Sequence, residues 1–200
     1  MIKGWPAWLC VVAAFAAGAG CANDGPGQGR MKGAATMLDA IDRKCDFSGD
    51  MEPLESNECT PPAPASLEGI LINVPEEVHF EGSGTLKQTG TVLRLCGRCK
   101  FPHDFMDLGG SFYASIVFVA VDKTTHQTYS GRFEPVMNLE PPPEPVGSLP
   151  GISIGEFFNP DLADILRLPA CEATYVVYAT LGTFKSNVLE VRVVRSGARP

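Results

Sequence analysis

The run Ala173–Thr180, ATYVVYAT, followed after Gly182 and Ser186-Asn187 by Val188–Arg195, VLEVRVVR, decides the fold class. In the second run Leu189, Val191 and Val193 fall on one side and Glu190 and Arg192 on the other. That is the two-residue period of a strand with one wet face. The first run is rich in β-branched and aromatic residues, which fit a pleated, half-buried surface. Gly182 and Ser186-Asn187 supply the turn chemistry between the two. Together they predict an antiparallel hairpin that closes a β domain.

Upstream, the same period recurs. Ile70, Ile72 and Val74 alternate with less apolar neighbours, and Val78 and Phe80 repeat the pattern. Thr91, Leu93 and Leu95 alternate with Val92 and an outward Arg94. Ser111–Val121, SFYASIVFVAV, is apolar on both faces and reads as a central, doubly covered strand. Asp122-Lys123-Thr124-Thr125 turns the chain into His126–Phe133. The proline cluster Glu140–Pro145 must be an exposed loop, because proline breaks a sheet ladder. One short helix is punctuated by Asn159 as N-cap, Pro160 at the first position, Asp161 against the dipole and Pro169 as the stop. Leu162, Ile165 and Leu166 give it one apolar face. Strands at this spacing without long intervening helices predict a mainly β protein, an antiparallel sandwich over residues 67–196.

Tyr175-Val176-Val177 with Ser186-Asn187-Val188-Leu189-Glu190-Val191 resembles the last two strands of immunoglobulin-like and fibronectin-like domains. The resemblance covers about 25 residues and implies an immunoglobulin-like order of strands. Trp5 and Trp8 are the only tryptophans, so the domain lacks the Cys…Trp…Cys core of antibody domains.

Residues 1–20 read as a secretory signal: Lys3, the apolar run Ala7–Ala17, then small residues before Cys21. The apolar run is too short to span a membrane. Ala17-Gly18-Ala19-Gly20-Cys21 resembles the lipobox of bacterial lipoproteins, in which the cysteine becomes the acylated N-terminus. The resemblance implies lipidation of Cys21 and, with Ala22 next, an outer-membrane anchor facing the periplasm or the surface. Gly18 stands where that family prefers a large aliphatic residue. Ala17-Gly18-Ala19 is also an A-x-A cleavage site, which would release a soluble periplasmic or secreted protein. Residues 21–66 read as a linker: ANDGPGQGRMK (22–32) is a flexible tether, Met37, Leu38 and Ile41 form a short helical stripe, and Thr60–Ala65 is a stiff proline-rich spacer.

The chain carries a net charge of −7, and −8 once Lys3 leaves with the signal. No basic cluster offers phosphate contacts, so nucleic acid is excluded as a partner. Asp46–Glu58 holds five acidic residues and no basic one. It lacks the calcium-loop spacing and reads as solvated linker.

Of seven cysteines, Cys10 lies in the signal and Cys21 is the lipidation candidate. Cys45, Cys59, Cys96, Cys99 and Cys171 are disulfide candidates in an oxidising compartment, and a Cys45–Cys59 bond would close the acidic segment into a loop. Lipidation leaves one of these five unpaired. Cys96-Gly97-Arg98-Cys99 has the spacing of a thiol–disulfide motif, although Pro102 follows at once and no βαβ pattern surrounds it; a structural disulfide at a strand end is the plainer expectation. Cys96-x-x-Cys99-Lys100 also resembles a haem-attachment signal with lysine in the usual histidine's place. Cys96, Cys99 and His103 form a set of soft metal ligands, with Met106, His126 or Cys171 as a fourth. Gly151-Ile152-Ser153-Ile154-Gly155 matches G-x-S-x-G, but no histidine follows residue 126 to complete a triad. The sequence therefore points to a non-catalytic envelope domain, without cofactor, that binds a partner protein or cell-wall material. The alternative is a periplasmic thiol–disulfide or metal-handling protein built on Cys96 and Cys99.

Overall fold

The C-terminal hairpin forms as its pattern demands, with Ala173–Leu181 (β7) pairing antiparallel to Leu189–Arg195 (β9) from Ala173 opposite Val193 to Val177 opposite Leu189. Phe184–Lys185 (β8) folds back on β7 across a turn in which Gly182 takes φ 56°, a backbone state that favours glycine. The computed structural model describes residues 41, 43–49, 51–102, 112–133 and 153–197. The signal segment, Cys21, the tether at 22–32, Met37 and Leu38, His103 with Met106 and the Glu140–Pro145 cluster lie outside those residues.

Two sheets make the sandwich. The first holds Gly69–Asn73 (β1), Cys96–Pro102 (β3) and Ser153–Phe158 (β6) in the order β1-β3-β6, all antiparallel. In the second, Glu77–Phe80 (β2), β9, β7, Val117–Asp122 (β4) and Thr128–Arg132 (β5) lie in that order. The chain leaves the first sheet at Val74-Pro75, where proline cannot continue the ladder. It re-enters the second as β2, parallel to β9. A first strand split between sheets, followed by repeated crossings, gives the immunoglobulin-like order.

The inner faces interdigitate. Ile70, Ile72, Cys99, Phe101 and Phe158 from the first sheet meet Phe118, Ala120, Tyr175, Val177 and Val191 from the second, all buried. Phe158 packs 5.8 Å from the Phe118 ring and lies over Gly97, where an added Cβ would come within 2.0 Å of its ring. Each buried large side chain contributes about 1.5–3 kcal/mol. Asn187 ties the sheets by their backbones: its Oδ1 accepts from Ile72 N at 2.8 Å and its Nδ2 donates to Ile72 O at 2.9 Å.

Several expectations shift. Residues 91–95 do not form a strand of either sheet. They pair irregularly with the helix region, through Leu162 N to Leu93 O at 2.8 Å and Leu95 N to Pro160 O at 3.0 Å. Leu93 and Leu95 are still buried, so the apolar alternation recorded burial rather than a ladder. Ser111–Val121 is not one strand: a turn of helix at Phe112–Ser115 precedes β4, which is central as expected, between β5 and β7, but is not covered on both faces, since its outward Val117 and Val121 are only partly buried. The predicted helix is Leu162–Ile165, capped by Asp161, whose carboxylate accepts from Ala163 N. Asn159 is not the cap. It is 2% exposed, and its Nδ2 donates to Glu52 O at 2.7 Å and Glu55 O at 2.8 Å.

Those last bonds reveal the largest difference from the sequence reading. Residues 43–49 and 51–66, read as linker, lie on the sandwich. Cys59 and Pro61 are buried, and Cys45 is bonded to Cys59 with 5.5 Å between their Cα atoms. Arg43 donates to Val74 O and Pro75 O, each at 3.1 Å, and to Glu190 O. Lys100 Nζ holds Ala65 O at 2.9 Å. Asn73 and Asn159, buried amides of the domain, take their partners from this segment, and that accounts for its order.

Candidate functional site

The Cys96-x-x-Cys99 pair sits inside β3, whose ladder to β1 runs unbroken from Cys96 opposite Asn73 to Lys100 opposite Gly69. Side chains three apart on a strand point to opposite faces, with their Cα atoms about 10 Å apart. A disulfide needs less than about 7 Å. The structure therefore separates the two thiols instead of joining them, and neither a mutual disulfide nor shared metal coordination is compatible with the strand. Cys99 faces the core at 1% exposure. Burial, helped by the charge of Glu156, pushes its thiol up to about 12. Cys96 faces outward yet is buried too, with its thiol donating to Met51 Sδ at 3.5 Å. Burial raises it to about 11 against the opposing contacts of Asn57 and Arg94. A reactive thiol needs a depressed pKa and access; both cysteines have the reverse.

Cys96, Cys99 and Cys171 are free, so of the five disulfide candidates the structure pairs Cys45 and Cys59 alone. Cys171 is exposed, just before β7. Among the described residues no three His, Cys, Asp or Glu side chains stand together as a metal site. His126 lies in the exposed β4–β5 turn with φ 59°. Ser153 opens β6, opposite Pro102, and continues as strand, so it forms no strand-to-helix elbow.

The outer faces of the two sheets carry different chemistry. On the first, Asn73 and Cys96 lie beneath the Cys45–Cys59 loop, and Leu71 and Arg98 share their face by register. Asn73 Nδ2 donates to Cys59 O at 2.9 Å and approaches Cys45 Sγ at 3.8 Å, and the Arg98 guanidinium stacks 5.3 Å from the Phe157 ring. On the second, ladder positions place Val121 opposite Val176 and Val119 opposite Tyr178, with Val117 opposite Thr180. Val119 is 8% exposed and its neighbours are half-buried. The strip is bounded by ion pairs between Lys123 and Glu190 at 2.8 Å and between Arg192 and Glu77 at 2.6 Å. Lys185 Nζ sits 4.0 Å over the Tyr178 ring.

Two clefts flank these faces. One, of about 750 Å³, runs between Arg43–Ser48 and β2, lined with charges of both signs including Arg43, Asp46 and Glu76. The other, of about 490 Å³, lies beside the helix Leu162–Ile165 and gathers Arg94, Arg132 and Arg167.

Sequence reasoning missed the aliphatic strip as a site because its valines satisfy any strand pattern, and it missed the clefts because their residues are far apart in the chain. The one available signal was the two-faced apolar character of residues 117–121. Comparison with protein-family models, with curated proteins and with solved structures finds no match to the chain.

Proposed function

We propose that this chain is a non-catalytic cell-envelope lipoprotein, exported by residues 1–20 and acylated at Cys21, whose sandwich binds a partner protein through the outer face of the second sheet. The observation that carries the reading is the Val117–Val119–Val121–Val176–Tyr178 strip, framed by charged pairs that already satisfy each other. An apolar centre with a polar rim is the anatomy of a protein interface. Cell-wall glycan is the lesser fit: sugars are met by aromatic platforms, and the strip offers one ring, with Lys185 already on it.

The test pairs two measurements. Intact mass of the mature protein from its native envelope should show a lipid-modified start at Cys21; an unmodified start near Gly20 would make it a soluble periplasmic or secreted protein. Val121→Glu with Val176→Glu should abolish partner capture from solubilised envelopes while the far-UV circular dichroism stays that of the parent. Capture that survives in the folded variant would remove this face from the proposal.

A further inference from the structure

We infer that the cleft between Arg94, Arg132 and Arg167 binds an organic carboxylate of the kind that ends a peptide. The three arginines come from separate parts of the chain. Arg94 lies in the bridge to Asp161, Arg132 ends β5, and Arg167 follows the helix Leu162–Ile165. In an acidic protein, with 23 Asp and Glu against 16 Lys and Arg, they line one cleft of about 490 Å³ and outnumber the two acids that line it with them, Asp161 and Asp164. Such a cleft concentrates anions.

The acids nearby are already engaged. Asp161 accepts from Leu93 N and Ala163 N, both at 3.0 Å. Asp164 is paired with Lys87. Among the described residues Arg132 and Arg167 have no ion-pair partner, and Arg94 makes a 3.4 Å contact from Nη1 to Asn159 O. Arg167 is also held at φ 50°, a conformation that costs a non-glycine residue stability. Buried Leu166 and Leu168 on either side fix its exposed position at the cleft.

The guanidinium fork matches a planar carboxylate through two parallel hydrogen bonds. Phe133, Pro160 and Ile165 add apolar wall, which suits a carboxylate carried on carbon better than a free inorganic anion. The cleft shares no lining residue with the valine strip, although Arg132 stands opposite Val117 in the β4–β5 ladder; Arg94 and Arg167 lie off that ladder, so the carboxylate inference does not rest on the partner-binding proposal.

Titration of the whole domain with N-acetyl-alanyl-alanine, and with its C-terminal amide, tests it. The free acid should bind saturably, and the amide about tenfold or more weaker, the loss expected when a charged hydrogen-bonding group is removed. Arg132→Gln with Arg167→Gln, both at exposed positions, should weaken the acid by a similar factor, and Arg167→Gln alone should leave partner capture intact. Equal binding of acid and amide, or no saturable binding of the acid, would overturn the inference. Inorganic phosphate binding as tightly as the acid would overturn the carboxylate assignment. The acid–amide comparison uses the parent protein, so it holds whether or not the double variant folds.

Discussion

The outer faces of the two sheets began from similar sequence material and ended differently. On β1 and β3 the face carries Asn73, Cys96 and Arg98, and residues 43–49 and 51–66 lie against it with the Cys45–Cys59 bond as a clasp. On β4 and β7 it carries valines, a tyrosine and threonines, with ion pairs at the margin. A face with buried amide and thiol groups needs partners from its own chain, because an unsatisfied buried polar group costs about 1–3 kcal/mol. A face of buried and half-buried valines needs none. The covered face is thus structural, and the partly buried valine face is the one we propose binds a partner.

The largest effect should come from opening the clasp. Cys45→Ser with Cys59→Ser removes the constraint of a 14-residue separation and should lower stability by about 3 kcal/mol, read by urea denaturation. Cys96 should then become alkylatable in the folded protein while Cys99 remains protected. Equal protection of both would mean that the loop does not shield this face.

Gly97→Ala probes the inner side of the same strand. The added methyl would meet the Phe158 ring, and overpacking of this kind costs about 1–3 kcal/mol. Full parental stability would show that Phe158 has room to move. Asn73→Ala should cost about 1–2 kcal/mol by leaving Cys59 O without its donor, with faster alkylation of Cys96 as a second readout. On the other face, Val176→Thr should change stability by less than about 1 kcal/mol, since the residue is half-exposed. Its effect belongs in the proposed partner binding.

The buried thiols also set a pH dependence. Each is neutral in the fold and has a pKa raised from 9.0, to about 11 for Cys96 and about 12 for Cys99. Between the unfolded and folded values the native state holds protons that the unfolded chain has released. Their contribution is therefore complete below pH 9 and declines as pH rises towards 11 and 12. The alkaline midpoint of unfolding should move up in Cys99→Ala relative to its own neutral-pH stability. An unchanged alkaline slope would contradict the burial assigned to that thiol.

The β-sandwich was legible because period-two burial is written locally. Val191 and Val193 are inside and Glu190 and Arg192 outside, as their alternation says. Three things were not local. Residues 91–95 carry the same alternation but lie outside both sheets, since alternation reports burial and says nothing of the ladder partner. The helix cap moved from Asn159 to Asp161 because two carbonyls of the 52–55 stretch claimed the Asn159 amide. The 43–66 segment reads as linker in composition, and only the buried polar atoms waiting on the domain make it part of the fold. The Cys96-x-x-Cys99 spacing misled for a simpler reason. It brings two thiols together on a helix start, whereas on a strand it sends them to opposite faces.

The most direct test of the division between covered and bare faces is maleimide labelling of Thr128→Cys, Val176→Cys and Glu68→Cys, each in a Cys171→Ser background. Rates are compared in intact envelopes and after detergent extraction. A bound partner on the second sheet should slow positions 128 and 176 in the envelope by about tenfold or more, the protection expected of an interface core, and leave position 68 unchanged. Equal rates at 128 and 176 in both states would show that the aliphatic face is bare in its native setting, and would contradict its assignment as the binding surface.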